Sequence, residues 1–333
     1  MDGIFNLKVI YQLRFDSKRS WDSGGVKHDA IYLEDGFGAV QMAEHYVDVA
    51  DYVIFSTYQD AGVNKLISQR SARGLPWCFW GEKLGFNYGQ QIGQFYRKYK
   101  LRNLHASSAP IWGIGEWAVD SYKKEFGNSR HYRNIPYYSN LTRFNRQNDF
   151  RRDSNAVRVL FSGSLTKRKG IDLLLDAVHD LYVNDVDIKL DIIGDGPLRP
   201  GILHDIKKYE LPVNYHGFIQ WNNLPEYYQA ADIMCVPSRY DGWGLTVVEG
   251  LAAGLPVITT NRVGAGIDIV NNHKNGWLIE SNSKKAIYHA LYSAYSLGNE
   301  CLKDMSTEAI LSAQQYDVQH GIKVITKAIL EDT

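Results

Sequence analysis

The feature that most constrains this chain is an alternation, between residues 157 and 280, of short apolar runs with longer amphipathic stretches. The runs at 157–162, 188–193, 213–216, 233–236, 256–259 and 276–280 are short and bounded by turn residues, so they read as strands. Helical periodicity fits 171–183, 198–209, 224–231 and 245–253, with two further helices after 280. Strands separated by helices build βαβ units and a parallel sheet, an α/β fold. In open parallel sheets ligands bind outside the carboxyl ends of the strands. Four glycine-containing loops leave at that edge, 163–170, 194–197, 217–222 and 237–244, and a ligand crevice is expected where they converge.

The first half repeats the alternation more weakly. Strands are expected at 8–13, 52–57, 77–80 and 110–114, and helices at 39–49, 61–71, 90–100 and 116–126. Residues 16–37, rich in Asp, Ser, Gly and Lys, fit nothing regular, and 134–154 reads as a polar linker. A chain of 333 residues exceeds what one core supports, which predicts two Rossmann-like domains, 1–150 and 151–333. The C-terminal helix is free to pack back on the first.

Net charge is zero, which argues against nucleic acid as a partner, since phosphate contacts demand a basic surplus. Residues 1–150 carry about +4 and 151–333 about −4, either an ordinary spread of solvated charge or a first half facing an anionic acceptor or lipid. Cys78, Cys235 and Cys301 form no CxxC pair, and two lie in apolar runs, so buried thiols are expected rather than disulfides or metal ligands. The opening residues do not read as a signal peptide, and no apolar stretch reaches the roughly 18 residues of a membrane span. A cytoplasmic protein is expected, at most peripheral on the inner face of a membrane. The stretch 90–102 interleaves Phe95, Tyr96 and Tyr99 with Arg97, Lys98, Lys100 and Arg102. A helix packing Phe95 and Tyr99 onto the domain is the preferred reading, a helix lying on an anionic membrane the alternative.

The stretch from Val236 to Gly250 carries the chemistry. A strand ends at Pro237, a loop holds Asp241, and a helix begins near Gly244–Leu245. Its first turn, with Leu245 and Thr246, presents free N–H groups and the positive end of the helix dipole, a ready diphosphate site. Glu249, a turn into that helix, can accept hydrogen bonds from ribose hydroxyls, while Asp241 can reach past the phosphates toward a sugar. The whole string resembles the acid-x7-acid signature of the retaining family 4 (group 1) glycosyltransferases, which have the GT-B fold of two Rossmann-like domains facing a cleft. Phe161–Gly170 is similar to the family's first phosphate loop. Ile192–Pro197, Tyr215–Ile219, Gly250–Ile258, Val263–Gly266 and Asn275-Gly276 also match, so the resemblance covers roughly 157–280.

The resemblance implies Asp241 as the catalytic residue, positioning or stabilising the donor sugar. It implies a donor site of Ser164, Arg168, Lys169, Phe218, Ile219, Gly244, Leu245, Thr246 and Glu249, with Lys169 neutralising the diphosphate. Two departures stand out: Asp241 replaces the usual Glu, and Ser164 stands where many members have Arg, with Arg168 placed to substitute. Around 134–144 and 111–126 the likeness is looser. Glu82, Tyr58 and Trp112 are the candidates on the acceptor or sugar side. The family's opening strand, glycine-rich loop and long helix are not found in residues 1–50, where Gly24-Gly25 lies in a polar loop, so an abbreviated N-terminal domain is expected.

The implied activity is retaining, metal-independent transfer from a nucleotide-diphosphate sugar, a co-substrate rather than a cofactor, to a glycan, glycolipid or small-molecule hydroxyl. A non-catalytic relative binding a nucleotide sugar or a partner glycosyltransferase is the alternative. An epimerase or phosphorylase would need its own acid/base set or a cofactor lysine, and neither is seen.

Overall fold

The computed structural model of the chain describes residues 5–14, 28–85, 90–144 and 156–333. Its contacts divide it into two compact units, residues 1–135 with 322–333, and residues 136–321.

In the first unit β1 (Lys8–Tyr11) pairs in parallel with β2 (Asp29–Tyr32) as a small separate sheet. After α1 (Phe37–Val49) come β3 (Val53–Phe55), α2 (Ala61–Ala72), β4 (Trp77–Gly81), α3 (Gln90–Lys100), α4 (Arg102–His105), β5 (Ile111–Gly113), α5 (Glu116–Phe126) and β6 (Tyr132–Asn134). Strands β3 to β6 form a parallel sheet in sequence order. Its core packs Phe55, Ile67, Trp77, Phe79, Ile111 and Tyr122. Asp60 caps α2 by accepting a hydrogen bond from the Val63 N–H at 2.9 Å, as an N-cap carboxylate should.

The second unit holds β7 (Val157–Ser162), α6 (Ile171–Val183), β8 (Ile188–Ile193), α7 (Arg199–Lys208), β9 (Val213–Gly217), α8 (Leu224–Ala230), β10 (Ile233–Val236), α9 (Leu245–Ala252), β11 (Val257–Thr260), α10 (Gly264–Ile269), β12 (Gly276–Ile279), α11 (Lys284–Ser296) and α12 (Asn299–Ala313). The strand order is β12-β11-β10-β7-β8-β9, all parallel. The chain runs outward from β7 to β9, then returns to the other side of β7 to lay down β10. The order therefore reverses between β7 and β10, and in open parallel sheets ligands bind outside the carboxyl ends of the strands at such a switch point. All four residues of β10 are buried, as expected of a strand covered on both faces. The last helix, α13 (Val318–Asp332), ends in the segment that belongs to the first unit.

Several expectations need correction. The irregular stretch 16–37 contains β2, too short to register as a pattern; Gly24-Gly25 lies outside the described residues. The division of the chain falls at Ile135/Pro136, ahead of 150/151. Asn134 closes β6, and within 136–144 Leu141 and Phe144 are buried in the second unit, while the rest of the expected linker, 145–154, lies outside the described residues. On α3, Phe95 and Tyr99 are 80% and 63% exposed, so they do not pack onto the core as preferred. Cys78 and Cys235 are buried free thiols, and burial pushes both well above the ordinary thiol range; Cys301 is free and exposed.

Candidate functional site

The loop after β7 ends in a tight turn, Lys167–Lys169, whose three side chains are all basic. Gly170 then starts α6 with φ of +74°, and a Cβ there would lie 2.0 Å from the Pro237 carbonyl oxygen. Only glycine allows the loops after β7 and β10 to approach this closely. Lys169 reaches across the gap, its Nζ 2.5 Å from Asp241 Oδ2. Arg168 Nη1 donates to the Tyr240 carbonyl at 2.9 Å and lies 3.8 Å from Asp241 Oδ2.

Arg239, which the sequence reading passed over, fastens this arrangement. Its backbone N–H donates to the Arg168 carbonyl at 2.8 Å, and its guanidinium donates to the Lys167 carbonyl. Two more bonds, of 2.7 and 2.9 Å, run to the Asp172 carboxylate at the start of α6, and another to Asn282 at 2.7 Å. The planar fork of arginine makes this bidentate pairing where lysine could not.

Gly244, with φ of +87°, leads into α9, whose first turn contains Leu245 and Thr246, both half-buried. The first N–H groups of a helix lack intrahelical acceptors, so this turn offers donors and a positive dipole end beside the Lys169–Asp241 pair. Thr246 Oγ1 is enclosed and has no hydrogen-bond partner among the described residues.

Glu249 is 7% exposed. Tyr228 OH donates to its Oε2 at 3.3 Å and Arg143 Nη2 to its Oε1 at 3.3 Å. Burial pushes the carboxyl up to about 7, against the opposing pull of Arg143 and Tyr228. Arg143 also donates to the Trp221 carbonyl at 3.3 Å, which ties Glu249 to the loop after β9 that carries the half-buried Phe218 and Ile219. Ser164 is exposed on the loop after β7. The donor-side candidates thus lie on three loops at one sheet edge and on the helix α9 that begins there.

The candidates of the first unit do not assemble in this way. Glu82 is exposed, its carbonyl accepting from Tyr122 OH at 2.8 Å. Tyr58 packs its ring 5.7 Å from that of Phe79. Trp112, expected on the acceptor or sugar side, is 1% exposed and not open to a ligand. Its ring stacks on Tyr52, and its Nε1–H donates at 3.0 Å to Asp332, near the end of α13. Arg133 Nη2 at 2.6 Å and Tyr52 OH at 3.3 Å donate to the same carboxylate, and its side chain is wholly buried.

Among the described residues no helix is long and apolar enough to cross a membrane. Residues 143–311 match the family model for glycosyl transferases group 1. An uncharacterized glycosyltransferase of Methanocaldococcus jannaschii is 35% identical over 125 residues, 37% of this chain and 34% of that protein. The alpha-monoglucosyldiacylglycerol synthase of Acholeplasma laidlawii is 32% identical over 168 residues, 50% of this chain and 41% of that protein. The matched segment therefore spans well under half the length of these curated relatives. Among solved structures, sucrose-phosphate synthase from Thermosynechococcus elongatus superposes with a TM-score of 0.72 at 18% identity, covering 98% of this chain and 88% of its own. Anabaena HepE, in complex with UDP and glucose, gives 0.71 at 14%, covering 91% and 86%.

Proposed function

The chain belongs to the group 1 glycosyl transferases and has the GT-B fold, and on that premise we propose that it is a retaining glycosyltransferase using a nucleotide-diphosphate sugar. The observation that carries this reading is the Lys169–Asp241 ion pair set beside the first turn of α9, with Glu249 buried one turn further in.

In this reading the nucleotide ribose hydroxyls donate to Glu249, and the diphosphate lies against the first turn of α9. As the bond between the anomeric carbon and the diphosphate oxygen breaks, negative charge grows on the leaving group. Lys169, Arg168 and the α9 N–H groups stabilise it from fixed positions, so little reorganisation is needed at the moment of reaction. Asp241 steers the sugar, whose anomeric carbon becomes cationic. The acceptor hydroxyl attacks from the face the phosphate is leaving, gives its proton to that phosphate, and the configuration is retained. The leaving-group charge is met by protein cations and dipoles, a scheme that needs no metal ion.

The acceptor is a hydroxyl of a glycan, a glycolipid or a small molecule. Relatives named for both a glucosyldiacylglycerol product and a mannosylfructose-phosphate product support that breadth. A glycolipid acceptor would be met on the cytoplasmic face of a membrane, and the exposed Phe95 and Tyr99, beside Lys98 and Arg102, suit a peripheral contact there.

Calorimetric titration with UDP, GDP and ADP, followed by hydrolysis and transfer assays with the matching nucleotide sugars, tests the proposal. Binding of one diphosphate and release of its sugar with unchanged anomeric configuration is expected, and activity should persist in chelator. Failure of the purified protein to bind any of the three would sink it; binding without turnover would favour the non-catalytic alternative.

A further inference from the structure

Arg143 has no part in the motif that brought the site to attention. It lies in the short turn Thr142–Phe144, just after the chain has crossed into the second unit. Its guanidinium carbon is 4.5 Å from the Phe144 ring centroid and 4.6 Å from that of Trp221, within cation–π range of both. Phe144 is itself fully buried and packs 4.8 Å from the Tyr228 ring. The guanidinium is therefore held by two aromatic rings, one of them backed by Tyr228, before it meets any carboxylate. From there it donates one bond to Glu249 and one to the Trp221 carbonyl.

We propose that Arg143 is a positioning residue for nucleotide binding, holding the Glu249 carboxylate aimed and favouring its ionised form while locking the loop after β9 to α9. The inference rests on the reading of Glu249 as the ribose-binding carboxylate. Two adjacent ribose hydroxyls are best met by a carboxylate, which accepts on both oxygens; a protonated carboxyl spends one oxygen as a donor. At 7% exposure an unpaired carboxylate carries a heavy desolvation penalty and takes up a proton to escape it. Among the described residues the groups acting on Glu249 are Arg143 and Tyr228, and of these Arg143 supplies positive charge. Tyr228 is wholly buried, and burial holds its phenol protonated, so it serves as a constant neutral donor. Arg143 thus fixes one oxygen of Glu249 and pulls the group toward its ionised form, against the effect of burial. The same side chain holds the Trp221 carbonyl, so removing it loosens Glu249 and the loop after β9 together.

The test compares the whole protein with Arg143→Met and Arg143→Lys, using UDP, GDP and ADP as probes at pH 6 to 9. For Arg143→Met we expect an affinity loss of at least about 10-fold at pH 7, shrinking as pH rises and Glu249 ionises unaided. Arg143→Lys should recover part of it. Independently of any nucleotide, carbon-13 NMR of Glu-labelled protein, with the Glu249 signal assigned by Glu249→Gln, should show the carboxyl midpoint rising by at least about one pH unit in Arg143→Met. An unmoved midpoint, or an affinity loss that is the same at every pH, overturns the proposal. A shifted midpoint in a protein that binds no nucleotide would uphold the hold of Arg143 on Glu249 while refuting the ribose-binding reading.

Discussion

Lys169 Nζ sits 2.5 Å from Asp241 Oδ2, and each side chain is only 15% exposed. The cation assigned to the donor diphosphate is thus shared with the acid assigned to the donor sugar. A diphosphate entering the site competes with Asp241 for Lys169 and is repelled by the Asp241 charge. Asp241→Asn should therefore tighten nucleotide diphosphate binding by about threefold or more while slowing sugar transfer by about 100-fold or more. Lys169→Met should weaken diphosphate binding by about 10- to 100-fold, the worth of one charge-assisted hydrogen bond. Calorimetry paired with a transfer assay separates the two, and weaker diphosphate binding by Asp241→Asn would contradict the shared-lysine arrangement.

Glu249 makes folding stability depend on pH with a definite sign. Burial raises its pKa from 4.5 to about 7, so the folded protein holds that proton more tightly than the unfolded chain. The contribution is full below pH 4.5 and is lost as pH rises through about 7. Glu249→Gln cannot ionise and should gain on the parent protein across that window, by up to about 3 kcal/mol. Urea unfolding at pH 5 and pH 8 reads the difference, and a gap that does not change with pH would refute the assignment. Nucleotide binding should run the other way, strengthening as Glu249 ionises.

At Gly170 the backbone itself is tested. Alanine there would be placed at φ of +74° with its methyl group 2.0 Å from the Pro237 oxygen. Gly170→Ala should cost at least about 1–3 kcal/mol, and relief of the clash must displace either Lys169 or the loop after β10. The expected result is a lower melting temperature together with weaker diphosphate binding to the fraction that remains folded. An unchanged affinity would show that Lys169 is not placed by this contact.

Asp332 is the equivalent keystone of the first unit, with Arg133, Trp112 and Tyr52 donating to one buried carboxylate. Asp332→Ala leaves the Arg133 cation without that partner and should destabilise by about 3 kcal/mol or more. The neighbouring Glu331, 44% exposed at its side chain, also pairs with Arg133. Glu331→Ala should cost less than about 1 kcal/mol, as exposed ion pairs do. Chemical denaturation of both variants makes the comparison, and equal losses would contradict it.

The second unit was legible because its strands are nearly continuous apolar runs ending in glycine-bearing loops, a pattern that tertiary structure seldom overrides. Strands β2 and β6 were not, because Asp29–Tyr32 and Tyr132–Asn134 are only four and three residues long, too short to show a period, and are defined by their pairing with neighbouring strands. Lys169, Asp241 and Glu249 could be picked out from their string. That Lys169 and Asp241 pair with each other could not, since nothing local fixes the distance between two loops. Arg143 and Arg239 escaped notice for a related reason. A single arginine in a loop has no periodicity, and its role appears only once Glu249 or Asp172 is brought to it through the fold. Trp112 differs in the opposite sense: it was a candidate on the acceptor or sugar side within a looser likeness, whereas its indole serves the carboxylate of Asp332.

The first unit is also discontinuous, residues 322–333 belonging with 1–135. On the ribosome the sheet β3–β6 emerges early, but the carboxylate that Arg133, Trp112 and Tyr52 require is made only after the whole of the second unit. Throughout that interval a cationic guanidinium and an indole N–H lack their acceptor, and the first unit waits half-finished. The second unit, contiguous in sequence, can close as soon as it is synthesised. Order of synthesis and order of completion are therefore reversed for these two units.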